Sequence, residues 1–203
     1  MTTADNKANA AAERPGYAGV AIALHWIIAA MILGQIAGGF YMHNLPDGNQ
    51  KFELYQLHKS TGITILLLSL VRLGWRLTHP APPLPGGMPD WQRLLARGTH
   101  IGFYALMIGV PLGGWAIVSA SPLAPSVPTY LFGAIPWPHL PFFDGVEDRK
   151  ATAEAIAEMH ELGAFSILGL FALHVAAALK HHFKDKDGVL ARMLPFLKRA
   201  GSA

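Results

Sequence analysis

Four long apolar runs, residues 17–41, 57–77, 100–120 and 159–179, decide most of what this chain can fold into. About 20 mostly apolar residues in helical form cross roughly 30 Å of hydrocarbon. Helix is the expected form, because a barrel strand alternates apolar and polar residues over shorter segments, and in lipid each backbone polar group needs an internal partner. A mean hydropathy of +0.31, with 52% hydrophobic and only 14% charged residues, agrees that the solvent around the chain is apolar. The expected fold class is all-α, a transmembrane four-helix bundle. Interior glycines in GQIAGG and GVPLGGW, and Pro111 within the third run, are tolerated in membrane helices and point to close packing or a kink there.

The first run is too long for the apolar region of a cleavable signal, and the polar stretch before it is weakly basic, so it reads as an uncleaved span. Residues 1–16 are then a flexible tail, 17–183 the membrane domain and 184–203 a basic tail. Cations sort by side. Lys7, Arg14, Arg72, Arg76, Arg93, Arg97, Lys180, Lys184, Lys186, Arg192, Lys198 and Arg199 fall on one face; Lys51, Lys59, Arg149 and Lys150 fall on the other. The positive-inside rule puts both termini in the cytoplasm, for a multi-pass protein of the bacterial inner membrane. The acidic stretch DGVEDRKATAEAIAE reads as a short amphipathic surface helix in the longer outer connection. The pI is near 9.3, but the basic residues flank apolar runs rather than forming a stripe with aromatics, which argues against nucleic acid as a partner.

The chain has no cysteine, which excludes disulfides, thiolate metal sites, iron–sulfur clusters and thioether-linked haem. Its ten histidines become the residues to sort. His25, His58, His100, His160 and His174 lie within or at the ends of the apolar runs, where an ionisable side chain is costly and marks a functional site by default. Topology puts His58 and His160 in an outer layer and His25, His100 and His174 in an inner one. His160 and His174 are fourteen residues apart, close to four helical turns, so they share one helix face at a separation of about 21 Å. One helix can therefore supply a ligand to each of two stacked cofactors. An iron held by two imidazoles takes one from each of two facing helices, and His58 with His160 meets that need. In the inner layer His25, His100 and His174 compete. Any one of the five alone could be an interhelical hydrogen-bonding group. A histidine-lined metal transporter would be expected to have carboxylates beside them, which the span interiors almost wholly lack. His43, His79 and His139 sit in or beside loops, where a solvated role is expected.

The segments ALHW around His25, YQLHKSTG around His58, VRLGWRLTHPAPPLP after the second run, ARGTHIGFYALMIGVPLGGW, MHELGAFSILGLFALHVAAALKHHF and LARMLP together carry a resemblance. Over roughly residues 15 to 195 the chain resembles the bacterial cytochrome b561 family of small dihaem membrane proteins. The resemblance implies two b-type haems, the inner on His25 and His174 and the outer on His58 and His160. His100 is left as a spare inner histidine, either structural or lining a quinone pocket. Some small free-standing members of the family oxidise superoxide and reduce ubiquinone; related cytochrome b subunits serve as membrane anchors and electron conduits for a partner dehydrogenase. Lys180, His181 and His182 match the region where quinone would bind, with His181 the candidate for hydrogen bonding or proton donation to reduced quinone. Arg72 and Arg76, four residues apart on one face, either pair with the inner haem propionates or are topology charges snorkelling to the surface. Lys51 and Lys59 are the cations placed to steer superoxide locally, against an outer surface dominated by carboxylates.

Overall fold

The computed structural model describes residues 16–126, 128–194 and 196–199; the expected N-terminal tail before residue 16 lies outside them. Among the described residues four helices are long and apolar enough to cross a membrane. They are α1 (Gly19–His43), α2 (Asn49–Thr78), α3 (Asp90–Ala120) and α4 (Arg149–Lys180). Each extends beyond its apolar run. Three begin well before the run does, because the helix continues as polar turns outside the apolar band. The antiparallel up-and-down order follows from the contacts. Arg72 near the end of α2 reaches Ala21 near the start of α1, and His174 near the end of α4 packs on His25 and His100 near the starts of α1 and α3. One end of the bundle thus gathers the start of α1 and the end of α4; it is called the terminal end below.

Helix α4 corrects one expectation. Residues 149–158 of the stretch read as a separate surface helix are its first three turns. Asp148 caps it, its carboxylate accepting from Ala151 N–H at 2.9 Å, and the helix runs without a break to Lys180. A good cap feeding directly into an apolar segment leaves no reason to break.

The packed centre is small. Ile28, Ile65 and Met107 form it, with Leu24, Met31, Ile32, Leu68, Phe103 and Tyr104 around them, between the two levels at which the histidines lie. The outward faces are apolar. Ile101 and Leu162, within α3 and α4, are 68% and 67% exposed, which is stable only when lipid replaces water around them. Close approach of α3 and α4 depends on small residues, as is usual in membrane bundles: a Cβ at Gly163 would stand 2.5 Å from Val110 Cγ2.

The connections are tied down by side chains. The proline-rich α2–α3 loop is held by Arg93, which donates to the Met88 carbonyl (3.0 Å) and the Gly86 carbonyl (2.9 Å), and by Arg192, which donates to the Pro83 carbonyl (2.6 Å). The α3–α4 connection carries a two-stranded antiparallel hairpin, β1 (Thr129–Leu131) and β2 (Ile135–Trp137), at the end opposite the termini. Beyond α4 the chain makes a wide turn over His181–Asp185, passes Lys186 and Gly188 at positive φ, and returns to α1, where Trp26 Nε1–H donates to the Met193 carbonyl (2.9 Å).

Candidate functional site: two histidine pairs on one helix

The bundle brings the sequence-selected histidines together at two levels. At the hairpin end the His58 ring from α2 faces the His160 ring from α4, with centroids 6.2 Å apart and an interplanar angle of 67°. At the terminal end His25 from α1 faces His174 from α4, also at 6.2 Å and at 60°. His100 from α3 approaches the same His174 ring at 5.9 Å, so distance alone does not separate it from His25. At residue level His100 is exposed, whereas His25, His58, His160 and His174 are partly buried.

Each ring is oriented by a particular neighbour. His160 Nδ1–H donates to the Val110 carbonyl at 2.8 Å. A carbonyl only accepts, so the proton is on Nδ1 and Nε2 keeps its lone pair. Gly114 makes room for this ring, since a Cβ there would lie 3.1 Å from His160 Cε1. On α2, Gln35 of α1 donates to the His58 carbonyl at 2.7 Å and fixes the backbone that carries that ring. His58 Nδ1 is buried and has no partner among the described residues. At the other level Arg72 donates to the Ala21 carbonyl (3.0 Å), and its second terminal nitrogen lies 3.4 Å from His25 Nδ1. Phe103 packs edge-on against His174 at 5.6 Å.

Between His58 and His160 lies a cavity of about 630 Å³, lined mainly by apolar side chains and by Gly39, Gly62 and Gly114, with Lys59, Trp137 and Glu161 among its polar residues. That size and character suit a flat apolar cofactor held by a few placed polar groups.

The remaining expected residues separate. Lys59 lines this cavity, but Lys51 is bound to Asp47 at 3.0 Å, so its charge is locally cancelled and steering by it is weakened. Arg76 is exposed. Lys180 and His181 stand at a polar pocket of about 800 Å³ beneath the proline-rich loop, engaged with carboxylates: Lys180 Nζ with Asp185 (2.6 Å), and His181 Nδ1 with Asp187 (2.6 Å) and Asp185 (3.2 Å). Sequence reasoning missed the Val110 carbonyl, the α3–α4 hairpin and Trp137. The GVPLGGW segment signalled close packing but not the ring it receives.

Fold and site define a class: a multi-pass membrane bundle presenting paired imidazoles at two depths. The family description "Prokaryotic cytochrome b561" matches residues 16–196. The chain belongs to that family. It is 35% identical over 181 residues to Cytochrome b561 homolog 2 of Escherichia coli (strain K12), covering 88% of this chain and 90% of that protein. It is 30% identical to the Probable superoxide oxidase CybB of Yersinia pestis, covering 88% and 96%, and 28% identical to Cytochrome b562 of Cereibacter sphaeroides, covering 90% and 97%. Membership makes this a multi-pass bacterial membrane protein of electron transfer and implies b-type haem.

The residues present fit that group. Two imidazoles sharing one metal ion through nitrogens at roughly 2 Å from it have ring centres roughly 6 Å apart, the separation found in both facing pairs. The apolar cavity, its glycine walls and the free Nε2 of His160 agree with this at the hairpin end.

Proposed function

We propose that the chain is a dihaem cytochrome carrying electrons across the bacterial inner membrane, from a one-electron donor on the hairpin side to ubiquinone near the terminal end, with superoxide the first-ranked donor. The observation that carries this reading is the repetition of one ring geometry, 6.2 Å between facing imidazoles, at both His160 and His174 of a single helix. His58 and His160 hold the outer haem, and His25 and His174 the inner one. When bound, haem supplies a one-electron couple.

The protein groups have separate tasks. Val110 keeps the His160 proton on Nδ1 and so keeps Nε2 available. His25 would hold the inner haem, and Arg72, 3.4 Å from His25 Nδ1 in this structure, would supply a guanidinium for an anionic propionate. His100 is a structural neighbour of the inner pair or part of the quinone wall. Overall, two superoxide ions each lose an electron and become dioxygen, while ubiquinone gains two electrons and two protons. His181, hydrogen-bonded to Asp187, is the group placed to relay a proton from the cytoplasmic side to which the Lys and Arg distribution assigns this end.

Support for superoxide is the relative named as a probable superoxide oxidase and the presence of Lys59 at the cavity. The cancelled charge of Lys51 and the excess of carboxylates on that side favour a second reading, in which a partner redox protein or dehydrogenase is the donor and this chain its membrane anchor. The deciding experiment mixes purified oxidised protein with a superoxide flux. Rapid haem reduction, abolished by superoxide dismutase and followed by quinone-dependent reoxidation, is expected; no reduction moves the reading to the protein donor. A preparation with no reduced-minus-oxidised haem b spectrum removes both.

A further inference from the structure

The hairpin between α3 and α4 is fastened at fixed points. Phe132 N–H donates to Ser60 Oγ at 2.9 Å, and that hydroxyl donates to the Gln56 carbonyl at 2.8 Å. Leu140 N–H donates to Ser119 Oγ and Trp115 Nε1–H to the Pro138 carbonyl, both at 2.9 Å. Thr129 and Leu131 of β1 are buried. The second strand therefore has a defined place, and Trp137 at its end lines the same cavity as His58 and His160.

The indole Nε1–H of Trp137 is shut off from solvent and has no acceptor among the described residues. Its neighbour Trp115 packs on it with centroids 5.3 Å apart and planes tilted by 56°, but spends its own N–H on Pro138. A buried donor left unpaired is unfavourable unless an acceptor arrives with a ligand. Indole N–H only donates, so it selects an acceptor without competing for a metal. Lys59, adjacent in sequence to His58, lines the same cavity. A lysine and a neutral N–H donor in a mainly apolar wall are complementary to a carboxylate, with Glu161 the one acidic side chain in that lining.

We propose that Trp137 Nε1–H donates a hydrogen bond to a carboxylate of the cofactor in the His58–His160 cavity, a haem propionate, so that the hairpin is a positioning element for that cofactor. This rests on the haem proposed above for that pair. A donor on a propionate draws negative charge away from the iron. Its loss leaves the oxidised iron relatively better stabilised, and the midpoint potential of that haem falls.

Trp137→Phe preserves the ring packing and removes the N–H. In detergent-purified protein it is expected to keep the wild-type haem-to-protein ratio, lower the midpoint potential of one haem alone, and shift a carboxylate band in the redox-difference infrared spectrum. Trp137→His, which restores a ring N–H, recovers part of both changes. Two haems with unchanged potentials and unchanged carboxylate bands overturn the proposal and leave Trp137 as packing against Trp115. Should neither variant accumulate, wild-type holoprotein carrying ¹⁵N-indole tryptophan is compared after loading with haem b and with its dimethyl ester. An indole signal that changes on esterification supports the bond, and one identical in both overturns it. Failure of the underlying haem assignment looks different: both haems would persist in His160→Ala.

Discussion

Gly163→Ala tests how the outer imidazole pair is held. The added Cβ would stand 2.5 Å from Val110 Cγ2, whereas carbon atoms in contact settle at about 3.5–4.0 Å, so roughly 1 Å of separation must be found. Val110 cannot easily supply it, because a valine in a helix has one strongly preferred rotamer. Helix α4 must move from α3 instead. His160 lies one turn before Gly163 on the same face and is tied to the carbonyl of that same Val110 at 2.8 Å. A comparable displacement carries that contact beyond hydrogen-bond range. Overpacking of this kind costs about 1–3 kcal/mol, which corresponds to a roughly 5- to 140-fold weaker hold if it falls wholly on the cofactor-bound form. The assay is haem stoichiometry and the low-temperature reduced-minus-oxidised spectrum of detergent-purified protein. One haem should be retained in normal yield and the other be partly lost or spectrally shifted. Val110→Ala combined with Gly163→Ala removes the opposing methyl groups and should restore it. Two unperturbed haems in the single variant would refute the claim that this contact seats His160, as would failure of the double variant to improve on it.

The other expectations separate the residues by role. His160→Ala removes one haem and spares the other, with His58→Ala affecting that same haem; retention of both haems in either variant refutes the outer pair. His100→Ala leaves two haems by pyridine haemochrome assay, whereas loss of the terminal-end haem would transfer the inner pairing to His100 and His174. Arg72→Leu lowers the midpoint potential of the inner haem, since a cation beside it disfavours the oxidised iron; an unchanged redox titration removes Arg72 from that role. The chain has no cysteine and Gly145 is exposed, so Gly145→Cys is a clean topology probe: a membrane-impermeant maleimide should label it in intact spheroplasts, and labelling only after lysis would invert the proposed orientation.

The spans were legible because a membrane helix is a one-dimensional object: its length and composition suffice, and the spacing of His160 and His174 needs only the helical period. Their partners were less legible. His58 and His25 came from layer topology and family resemblance, and the structure brings both to 6.2 Å from their α4 counterparts. The charged residues were read least well. Lys51 and Lys180 looked like available cations, yet Asp47 and Asp185 engage them, and the acidic stretch before the fourth run looked like a separate helix. Short-range ion pairing and helix continuation depend on where a turn places the neighbour, which hydropathy does not report.

By itself the sequence determined that the chain is a bundle of four membrane helices with imidazoles at two depths, because both statements follow from apolar length and from 3.6 residues per turn. Only the tertiary structure decided how those imidazoles are held. The proton on His160 Nδ1 depends on a backbone carbonyl of α3, and the space for the ring depends on the missing side chain of Gly114. Trp137, whose indole N–H has no partner among the described residues, is brought to the cavity wall by a hairpin pinned by two serine hydroxyls. Each is a contact across elements distant in the chain, with no periodic trace to mark it.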